Sequence, residues 1–252
     1  TIPSFNVNFN ETIKRSRDIS KRLSKGIEFL MNKNQIDHIK GTGVFKSDKD
    51  IEVINGKDKE LVKANKIIIA TGARSQVLAD MEPDGKRIIT SKEAMNLKEI
   101  PKRMLVIGAG AIGVEFAYFY NQYGSEIHLI EMMDNILPIE DIDISKEVEK
   151  SFIKSGIKIH KKTRVTQIKK LKTKLKVHLE ASGKESIVET DIVLSAVGVI
   201  GNIEKIGLEN IGVDTKNGAV LINDYNQTSV ENIYAIGDVS GPPWLAHVAS
   251  AQ

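Results

Sequence analysis

The sequence predicts an α/β fold that contains two related domains. Short apolar runs at residues 66–70 and 104–107 are typical of strands buried on both faces of a sheet. Segments with helical periodicity separate such runs. Residues 65–72 also line up with residues 191–198, since in both a hydrophobic run ends in alanine, one further residue and glycine. Two related α/β domains would produce this repeat, and a chance match is the alternative.

Composition limits the classes of function. The 252 residues are 41% hydrophobic and 27% charged, with a net charge of +3, which is ordinary for a globular protein. Aromatic residues make up 5%, too few for a surface that recognises nucleic acid, so we expect no such partner. Cysteine is absent, which excludes disulfides, zinc–thiolate sites and thiol nucleophiles within these residues. We expect no metal site.

The sequence also gives expectations about location. No apolar stretch is long enough to cross a membrane, and residues 1–10 lack the apolar segment of a secretory signal. We therefore expect no membrane association and a cytoplasmic or organelle-interior location, such as the mitochondrial matrix. The chain begins at Thr1 and ends at Gln252 without a helix-ending signal, so we expect it to be the central part of a longer polypeptide.

The first hundred residues predict one long helix and several strands. Apolar residues recur at helical spacing, which predicts an amphipathic helix over 11–32 with a solvated basic face; they are Ile13, Ile19, Leu23, Ile27 and Leu30. From residue 36 to residue 72 the pattern favours strands, first over 37–45, then over 51–54, and finally in the apolar run at 66–70.

The remainder alternates strands and helices. Strands are predicted at 104–107, 126–130, 165–168, 175–179 and 192–196. A helix over 112–123 should end at Gly124. A second helix should begin with Asp143 as its N-cap, place Ile144, Val148 and Phe152 on one face, and end at Gly156.

The strongest motif is a glycine-rich turn between a predicted strand and a predicted helix. Gly108 permits the tight turn, Gly110 lets the backbone approach a pyrophosphate, and Gly113 allows the helix to lie close to the sheet. The free N–H groups and the positive dipole end at a helix N-terminus favour phosphate. A glycine turn without a ligand is the alternative, but the surrounding strand and helix favour a Rossmann-type dinucleotide site.

An acidic residue supports this interpretation and indicates which dinucleotide binds. Glu131 ends the next predicted strand, where a carboxylate can accept hydrogen bonds from both ribose hydroxyls. It would repel the 2′-phosphate of NADP, and the following residues 132–135 contain no basic side chain. The sequence therefore favours NAD. A further motif lies at residues 228–238, where a short apolar strand leads to Gly237 and Asp238.

These motifs, in this order, resemble the flavin-dependent pyridine nucleotide–disulfide oxidoreductases over essentially the whole chain. Residues 69–73 look like the family's connector to FAD, and residues 108–117 look like its NAD site. Residues 130–138 are similar to a segment of the members that oxidise dihydrolipoamide. The segment ending at Asp238 resembles the second FAD motif, and residues 245–247 resemble the strip beneath the flavin.

The resemblance implies two three-layer, Rossmann-like domains and a set of cofactor contacts. The NAD-binding domain, residues 101–223, would be inserted into an incomplete FAD-binding domain formed by residues 1–100 and 224–252. The implied FAD contacts are Gly43, Thr71, Gly72, Ala73, Asp238, Trp244, Leu245, Ala246 and His247. The implied NAD contacts are Gly108, Ala109, Gly110, Ala111, Ile112, Gly113, Val114, Glu115, Glu131, the backbone of Val165, and Gly198.

Some of these assignments have alternatives or departures from the family. Glu115 would help to position the nicotinamide, and a surface glutamate is its alternative. The family usually has arginine and proline after the glycine matched by Gly198, whereas this chain has Val199 and Ile200. No redox cysteine pair, no His/Glu base pair and no earlier glycine fingerprint lie within these residues. We therefore expect no catalytic residue within the chain and no activity from the chain alone.

The implied activity is oxidation of dihydrolipoamide to lipoamide through a redox disulfide and FAD, with hydride transfer to NAD. The implied partners are a lipoyl-bearing protein of a 2-oxoacid dehydrogenase or glycine cleavage complex, and a second subunit in a homodimer. One alternative is another member of the same family, of the glutathione or mercuric reductase type. A non-catalytic NAD-binding module is an alternative from a different class.

Overall fold

The computed structural model describes residues 7–252. Its helices are α1 (Phe9–Lys33), α2 (Ser91–Ala94), α3 (Ala111–Gln122), α4 (Ile142–Lys154) and α5 (Ala246–Ala251). The strands in the first part of the chain are β1 (Thr42–Phe45), β2 (Asp50–Asn55), β3 (Asp58–Lys63), β4 (Ile67–Ile69), β5 (Ala73–Ser75), β6 (Ile88–Ile89), β7 (Arg103–Ile107) and β8 (Glu126–Ile130). The later strands are β9 (Lys158–His160), β10 (Thr163–Lys170), β11 (Leu175–Ala181), β12 (Lys184–Thr190), β13 (Ile192–Ser195), β14 (Val199–Gly201), β15 (Thr215–Lys216), β16 (Ala219–Val220) and β17 (Ile233–Ala235).

The packing of the backbone divides the chain into two units. The first contains the described residues up to Ser24 together with Ser75–Gly198, and the second contains Lys25–Arg74 and Val199–Gln252. The resemblance implies other domain limits, at residues 1–100, 101–223 and 224–252, and these stay a prediction. The units differ from it because β6 joins the sheet of the first unit, while Leu208, Val213 and Val220 join the core of the second.

A five-stranded parallel sheet forms the centre of the first unit, in the order β6-β13-β7-β8-β9. The chain proceeds from β7 to β8 and β9 on one side, whereas β13 lies on the other side of β7. The direction of winding therefore reverses at β7. In open α/β sheets, ligands bind at the carboxyl ends of the strands next to such a reversal.

The first unit has three layers, which confirms the predicted α/β class. Along β7, Met104 and Val106 pack toward the helices, into a core that contains Phe9, Tyr120 and Phe152. Leu105 and Ile107, which alternate with them, pack against the antiparallel sheet β10-β11-β12. The strand is covered on both faces, because residues 104–106 are 0% exposed.

Most predicted elements of the first unit form within two or three residues of their expected limits. The helix predicted at 112–123 is α3, and the following Gly124 has a positive φ of 89°. The predicted strands at 104–107, 126–130, 175–179 and 192–196 are β7, β8, β11 and β13. The strand predicted at 165–168 is the centre of the longer β10. The short edge strand β9 and the hairpin strand β12 were not predicted.

The expected N-cap of α4 was wrong, and its expected face is correct at Val148 and Phe152 but wrong at Ile144. Asp141, not Asp143, is the N-cap, and its carboxylate accepts a hydrogen bond from the N–H of Asp143 at 2.8 Å. Asp143 lies in the first turn, where a negative charge interacts favourably with the helix dipole. Ile144 is 58% exposed rather than on the buried face, whereas Phe152 is 7% exposed. Two aspartates separated by one residue gave two possible caps, and local sequence did not distinguish them.

Two expectations for the start of the chain also fail. The first part of α1 contributes Phe9 and Ile13 to the core, but Leu23, Ile27 and Leu30 are more than half exposed. The apolar periodicity was therefore correct for helix formation and wrong for burial along its whole length. The strand expected over 37–45 begins only at Thr42, and residues 36–40 belong to no helix or strand.

The second unit contains the antiparallel sheet β1-β2-β3 and the parallel pair β17-β4. Ile67 and Ile69 of β4 and Ile233 and Ala235 of β17 are buried in one core. Strand β14 pairs with β5, and β15 pairs with β16. Among residues 7–252, no helix combines the length and apolar character that a membrane crossing requires.

Candidate functional site

The predicted dinucleotide residues lie at the carboxyl ends of neighbouring strands in the first unit. The glycine turn follows β7, Glu131 follows β8, and Gly198 follows β13. Because β7, β8 and β13 are adjacent and parallel, these three segments meet at one edge of the sheet. They lie at the carboxyl ends of the strands around β7, where the direction of winding reverses.

Two of the three fingerprint glycines are required by close packing. Gly108 has φ +95°, and a Cβ atom there would overlap the carbonyl oxygen of Ala196 beyond β13. A Cβ atom on Gly113 would overlap the carbonyl oxygen of Gly108. Glycine at these positions therefore brings α3 and the end of β13 directly against the turn. These are the conformational and packing roles that the sequence predicted for them.

Gly110 differs from both, because nothing lies within 4 Å of the position a Cβ atom would take. It is the N-cap of α3, and no side chain caps this helix. The amides of the first turn, at Ala111, Ile112 and Gly113, are thus left for another acceptor. An uncapped helix N-terminus beside open space fits the pyrophosphate of a dinucleotide.

Glu131 lies at the same edge and is 8% exposed. One carboxylate oxygen accepts a hydrogen bond from the N–H of Ala109 at 2.8 Å, and the other accepts one from the N–H of Met133 at 2.9 Å. The carbonyl of Ala109 in turn accepts a hydrogen bond from the N–H of Leu137 at 2.7 Å. Ala109 therefore holds Glu131 and the following loop against the glycine turn, and its own side chain is buried.

Some of the predicted NAD contacts are buried and form the floor of the candidate site. Ala109 is 0% and Val114 is 8% exposed, and both belong to the core between α3 and the sheet. Val165 is half-buried in β10, where the strand pairing is irregular between Val165 and Gln167. Gly198 has φ +116°, and its carbonyl accepts a hydrogen bond from the N–H of Gln76 at 2.9 Å.

Glu115 is exposed on α3 and lies at a cavity of about 290 Å³. Residues of α1, α2 and α3 complete the lining, which includes Ile13, Met95 and Phe116. The structure thus leaves the Glu115 carboxylate accessible.

Sequence reasoning missed a cation beside the loop that follows Glu131. The N–H of Lys162 donates to the carbonyl of Met133 at 3.1 Å, and the Lys162 ammonium lies 3.3 Å from the Asp134 carboxylate. Lys162 has φ +51°, which turns the chain between β9 and β10 toward this loop. A search for basic residues in 132–135 alone could not find it, because the contact joins segments that are distant in sequence.

In the second unit, the predicted FAD residues follow two neighbouring parallel strands. Thr71 and Gly72 come after β4, and Asp238 comes after β17, which pairs with β4. Gly72 has φ +68°. Asp238 is half-buried in the short 3₁₀ turn Gly237–Ser240, and within the described part of the chain its carboxylate has no hydrogen-bond partner. A free carboxylate beside a glycine backbone fits a hydroxyl-bearing ligand.

Asn202 fixes the connection at Thr71. The Thr71 hydroxyl donates to the Asn202 carbonyl at 2.8 Å, and the Asn202 amide donates to the Thr71 carbonyl at 2.9 Å. The guanidinium of Arg74 donates to the Gly201 carbonyl at 3.0 Å and pairs with Glu204 at 2.6 Å. Arg74 thus supplies a cation beside the segment in which the family's usual arginine is absent.

The remaining predicted FAD positions are at the surface of the second unit. Gly43 is exposed in β1, and Trp244 and Leu245 are 44% and 47% exposed. Ala246 and His247 are exposed in the first turn of α5. No group of three or more metal-binding side chains is found among the residues that the structure describes.

Comparisons with known proteins agree with this geometry. A dihydrolipoyl dehydrogenase from Rhizobium etli is 43% identical over 95% of this chain. The HOCl-induced flavoprotein disulfide reductase RclA of Escherichia coli has a TM-score of 0.86 at 26% identity, over 96% of this chain and 55% of its own. LpdA from Mycobacterium tuberculosis has a TM-score of 0.91 at 24% identity, over 100% of this chain and 56% of its own, which supports the fold.

The chain spans about half the length of the curated relatives it matches, 53% in the case of the Rhizobium etli protein. A family model described as pyridine nucleotide-disulphide oxidoreductase matches residues 4–252. This is a family of flavoprotein oxidoreductases that use FAD and NAD. The chain therefore belongs to the pyridine nucleotide-disulphide oxidoreductase family.

Proposed function

We propose that this chain supplies the NAD-binding part, and a portion of the FAD-binding part, of an enzyme that oxidises dihydrolipoamide. The names of the 36–43% identical relatives support dihydrolipoamide as the substrate. The structural observation that carries the proposal is the placement of Glu131 beside the open Gly110 turn. Dihydrolipoamide would be carried on a lipoyl-bearing protein of a 2-oxoacid dehydrogenase or glycine cleavage complex.

The NAD site would use the residues at the edge of the parallel sheet. The first-turn amides of α3 would donate to the pyrophosphate, and the lone pairs left on Glu131 would accept from the adenosine ribose. Ala109, Gly113 and Val114 would shape the floor, while Val165 and Gly198 would contribute backbone from the flanking segments. Glu115 would accept from the nicotinamide amide.

The FAD site would use Thr71 to Ala73, Gly43, and the free carboxylate of Asp238. Trp244 to His247 would add backbone and exposed side-chain surface. When both cofactors are bound, they supply hydride transfer between flavin and nicotinamide, and the protein supplies binding and orientation. A homodimer, the absence of nucleic-acid and membrane partners, and a cytoplasmic or organelle-interior location remain parts of this proposal.

The test is a calorimetric titration of the 252-residue chain with NADH and, separately, with NADPH. We expect NADH to bind at least about tenfold more tightly, because Glu131 repels a 2′-phosphate. Glu131→Gln should weaken NADH binding by about tenfold and reduce this preference. Glu147→Gln is the matched control, because the Glu147 carboxylate is 75% exposed on α4.

Preference for NADPH would contradict the proposal and favour a reductase of the glutathione or mercuric type. Equal weakening by both variants would show that Glu131 does not bind the ribose. If neither nucleotide binds, the proposal of a dinucleotide site is contradicted.

A further inference from the structure

Two histidines on neighbouring strands lie within hydrogen-bonding distance of each other, and the backbone of one of them bonds to Glu131. His128 lies on β8 and His160 lies on β9, and Nδ1 of His128 is 3.0 Å from Nε2 of His160. The two rings are nearly parallel, with an interplanar angle of 12° and centroids 5.2 Å apart. No residue of the proposed cofactor sites is part of this pair.

The bond limits how many protons the pair can carry. A hydrogen bond between two imidazole nitrogens needs one N–H and one lone pair. With both rings neutral, or with one proton added, this arrangement is available. With both rings protonated, an N–H faces an N–H and two positive charges face each other, so the bond must break. The pair therefore keeps its bond with no added proton or with one, and loses it when a second proton is added.

The charged groups around the pair come from its own two strands. Nε2 of His128 is 3.6 Å from the Glu126 carboxylate, which also pairs with the Lys158 ammonium. Burial lowers the pKa of His128 below its ordinary value, as does Lys158, while Glu126 opposes this. Burial also lowers the pKa of His160, and the charges of His128 and Lys158 lower it further.

The sheet that packs on this face adds no charge to the pair. The side chains that β10 and β11 turn toward this face of the parallel sheet are apolar: Val165, Ile168, Leu175, Val177 and Leu179. On the segments that lead from β9, Lys161 is paired with Glu149 at 2.8 Å, Lys162 with Asp134 at 3.3 Å, and Arg164 with Glu180 at 2.5 Å.

The backbone of His160 connects the pair to Glu131. The carbonyl of His160 accepts a hydrogen bond from the N–H of Glu131 at 2.8 Å, and the Glu131 carbonyl accepts one from Thr163 at 2.9 Å. Strand β9 is at the edge of the sheet and pairs only with β8 among the described strands. Loss of the bond between the two imidazoles would therefore loosen the strand that holds the Glu131 backbone.

We propose that His128 and His160 are positioning residues for Glu131, and that entry of a second proton into the pair weakens dinucleotide binding. This inference rests on the proposed function, since it requires Glu131 to bind the ribose. Loss of affinity should begin as the pH falls below about 6.5, the ordinary histidine pKa, because burial and Lys158 lower both pKa values.

The experiment is a titration with NAD⁺, which is stable in mild acid, at pH values from 7.5 to 4.5. The wild-type chain should bind about tenfold more weakly at the lower pH. The comparison is the double variant H128N/H160Q, whose amide nitrogens replace Nδ1 and Nε2 but do not titrate. Its affinity should change less than about threefold over the same range. His38→Gln, at an exposed position of the chain, should behave as the wild type does.

A second measurement observes the two imidazoles themselves, independently of the general stability of the fold. Nitrogen-15 spectra of the imidazoles should show coupled titration of His128 and His160 in two steps. An NAD⁺ affinity that is constant with pH, or that falls equally in wild type and double variant, would overturn the inference. Absence of NAD⁺ binding at pH 7.5 in the wild type would instead contradict the proposed function.

Discussion

The carboxylate of Glu131 supports the fold and keeps acceptor positions for the proposed ligand. Its two oxygens accept backbone hydrogen bonds from Ala109 and Met133. An ionised carboxylate has about four lone-pair positions, so about two remain for ribose hydroxyls. The two backbone bonds fix the carboxylate before any ligand binds, which lowers the entropic cost of binding.

Asp134 is the residue whose charge should control tolerance of a 2′-phosphate. Its carboxylate is paired with Lys162, and the two side chains are 75% and 64% exposed. Asp134→Asn removes a negative charge and frees the Lys162 ammonium, so affinity for NADPH should rise about threefold to tenfold relative to NADH. Calorimetry with both nucleotides measures this ratio.

Glu140→Gln is the control for that change, because Glu140 is an exposed carboxylate of the same loop. Stability should not change measurably with either variant, since exposed ion pairs contribute little. An unchanged ratio of affinities in Asp134→Asn would show that Lys162 does not reach the 2′-position.

Asp84 should stabilise the first unit in a pH-dependent way. Burial alone would raise the pKa of this carboxyl, but the Lys170 ammonium at 2.7 Å and backbone N–H groups hold it well below its usual range. The N–H donors belong to Lys86, Arg87 and Ile88, at 2.8–2.9 Å. Stability from a lowered pKa is present above about pH 4, the value in the unfolded chain, and is lost as the pH falls further.

We therefore expect Asp84→Asn to lower the free energy of unfolding by about 2 kcal/mol at pH 7. At pH 3 the difference between variant and wild type should be smaller than at pH 7. Urea unfolding at the two pH values measures it, with Asp37→Asn as control, because Asp37 is exposed and lies outside the helices and strands. A difference independent of pH would show that the Asp84 charge does not contribute.

At the scale of elements, the turn from β7 to α3 separates a packing glycine from a binding glycine. Gly113→Ala places a methyl group on the Gly108 carbonyl, so it should destabilise the fold by at least about 3 kcal/mol. Gly110→Ala meets open space at an ordinary φ of −73°. It should leave stability within about 0.5 kcal/mol but weaken NADH binding by at least about tenfold, since the methyl group enters the pyrophosphate position.

Thermal unfolding and NADH titration of the two variants check this difference. Gly26→Ala, on a helix and with nothing within 4 Å, is the control for a generic glycine change. Equal NADH affinity in wild type and Gly110→Ala would place the pyrophosphate elsewhere.

The elements also show where local patterns mislead. The apolar period predicts a helix over 11–32, within the 25 residues of α1, but exposure of Leu23 and Ile27 depends on which partners the fold supplies. The cap of α4 is decided by the backbone of Asp141, at φ −56° and ψ 137°, and no composition rule distinguishes it from Asp143.

At the scale of the whole molecule, the chain holds cofactor-binding machinery but no thiol. Transfer of electrons from dihydrolipoamide in the proposed reaction needs a redox disulfide, and the 252 residues contain no cysteine. We expect the purified chain to bind NADH yet produce no NADH from dihydrolipoamide and NAD, even with added FAD. Absorbance at 340 nm measures this, with a dihydrolipoyl dehydrogenase as positive control; turnover above the blank would contradict it.

Local sequence patterns were sufficient for the alternation of strands and helices, the glycine turn and its acidic partner after the next strand. These follow from hydrophobic period, glycine conformation and short-range spacing, which are local properties. The glycine turn, Glu131 and Asp238 were found in the same way, whereas the other proposed contacts, such as Gly43, Val165 and Gly198, were implied only by the resemblance to the family.

Which distant groups meet became known only from the folded chain. The contact of Lys162 with Asp134, the bond between His128 and His160, and the two bonds between Thr71 and Asn202 all join separate segments. Parallel strands that are neighbours in space are separated by whole helices in sequence. Contacts across them depend on strand order and register, which local periodicity does not encode, so pairing of strands determined the electrostatics of the site.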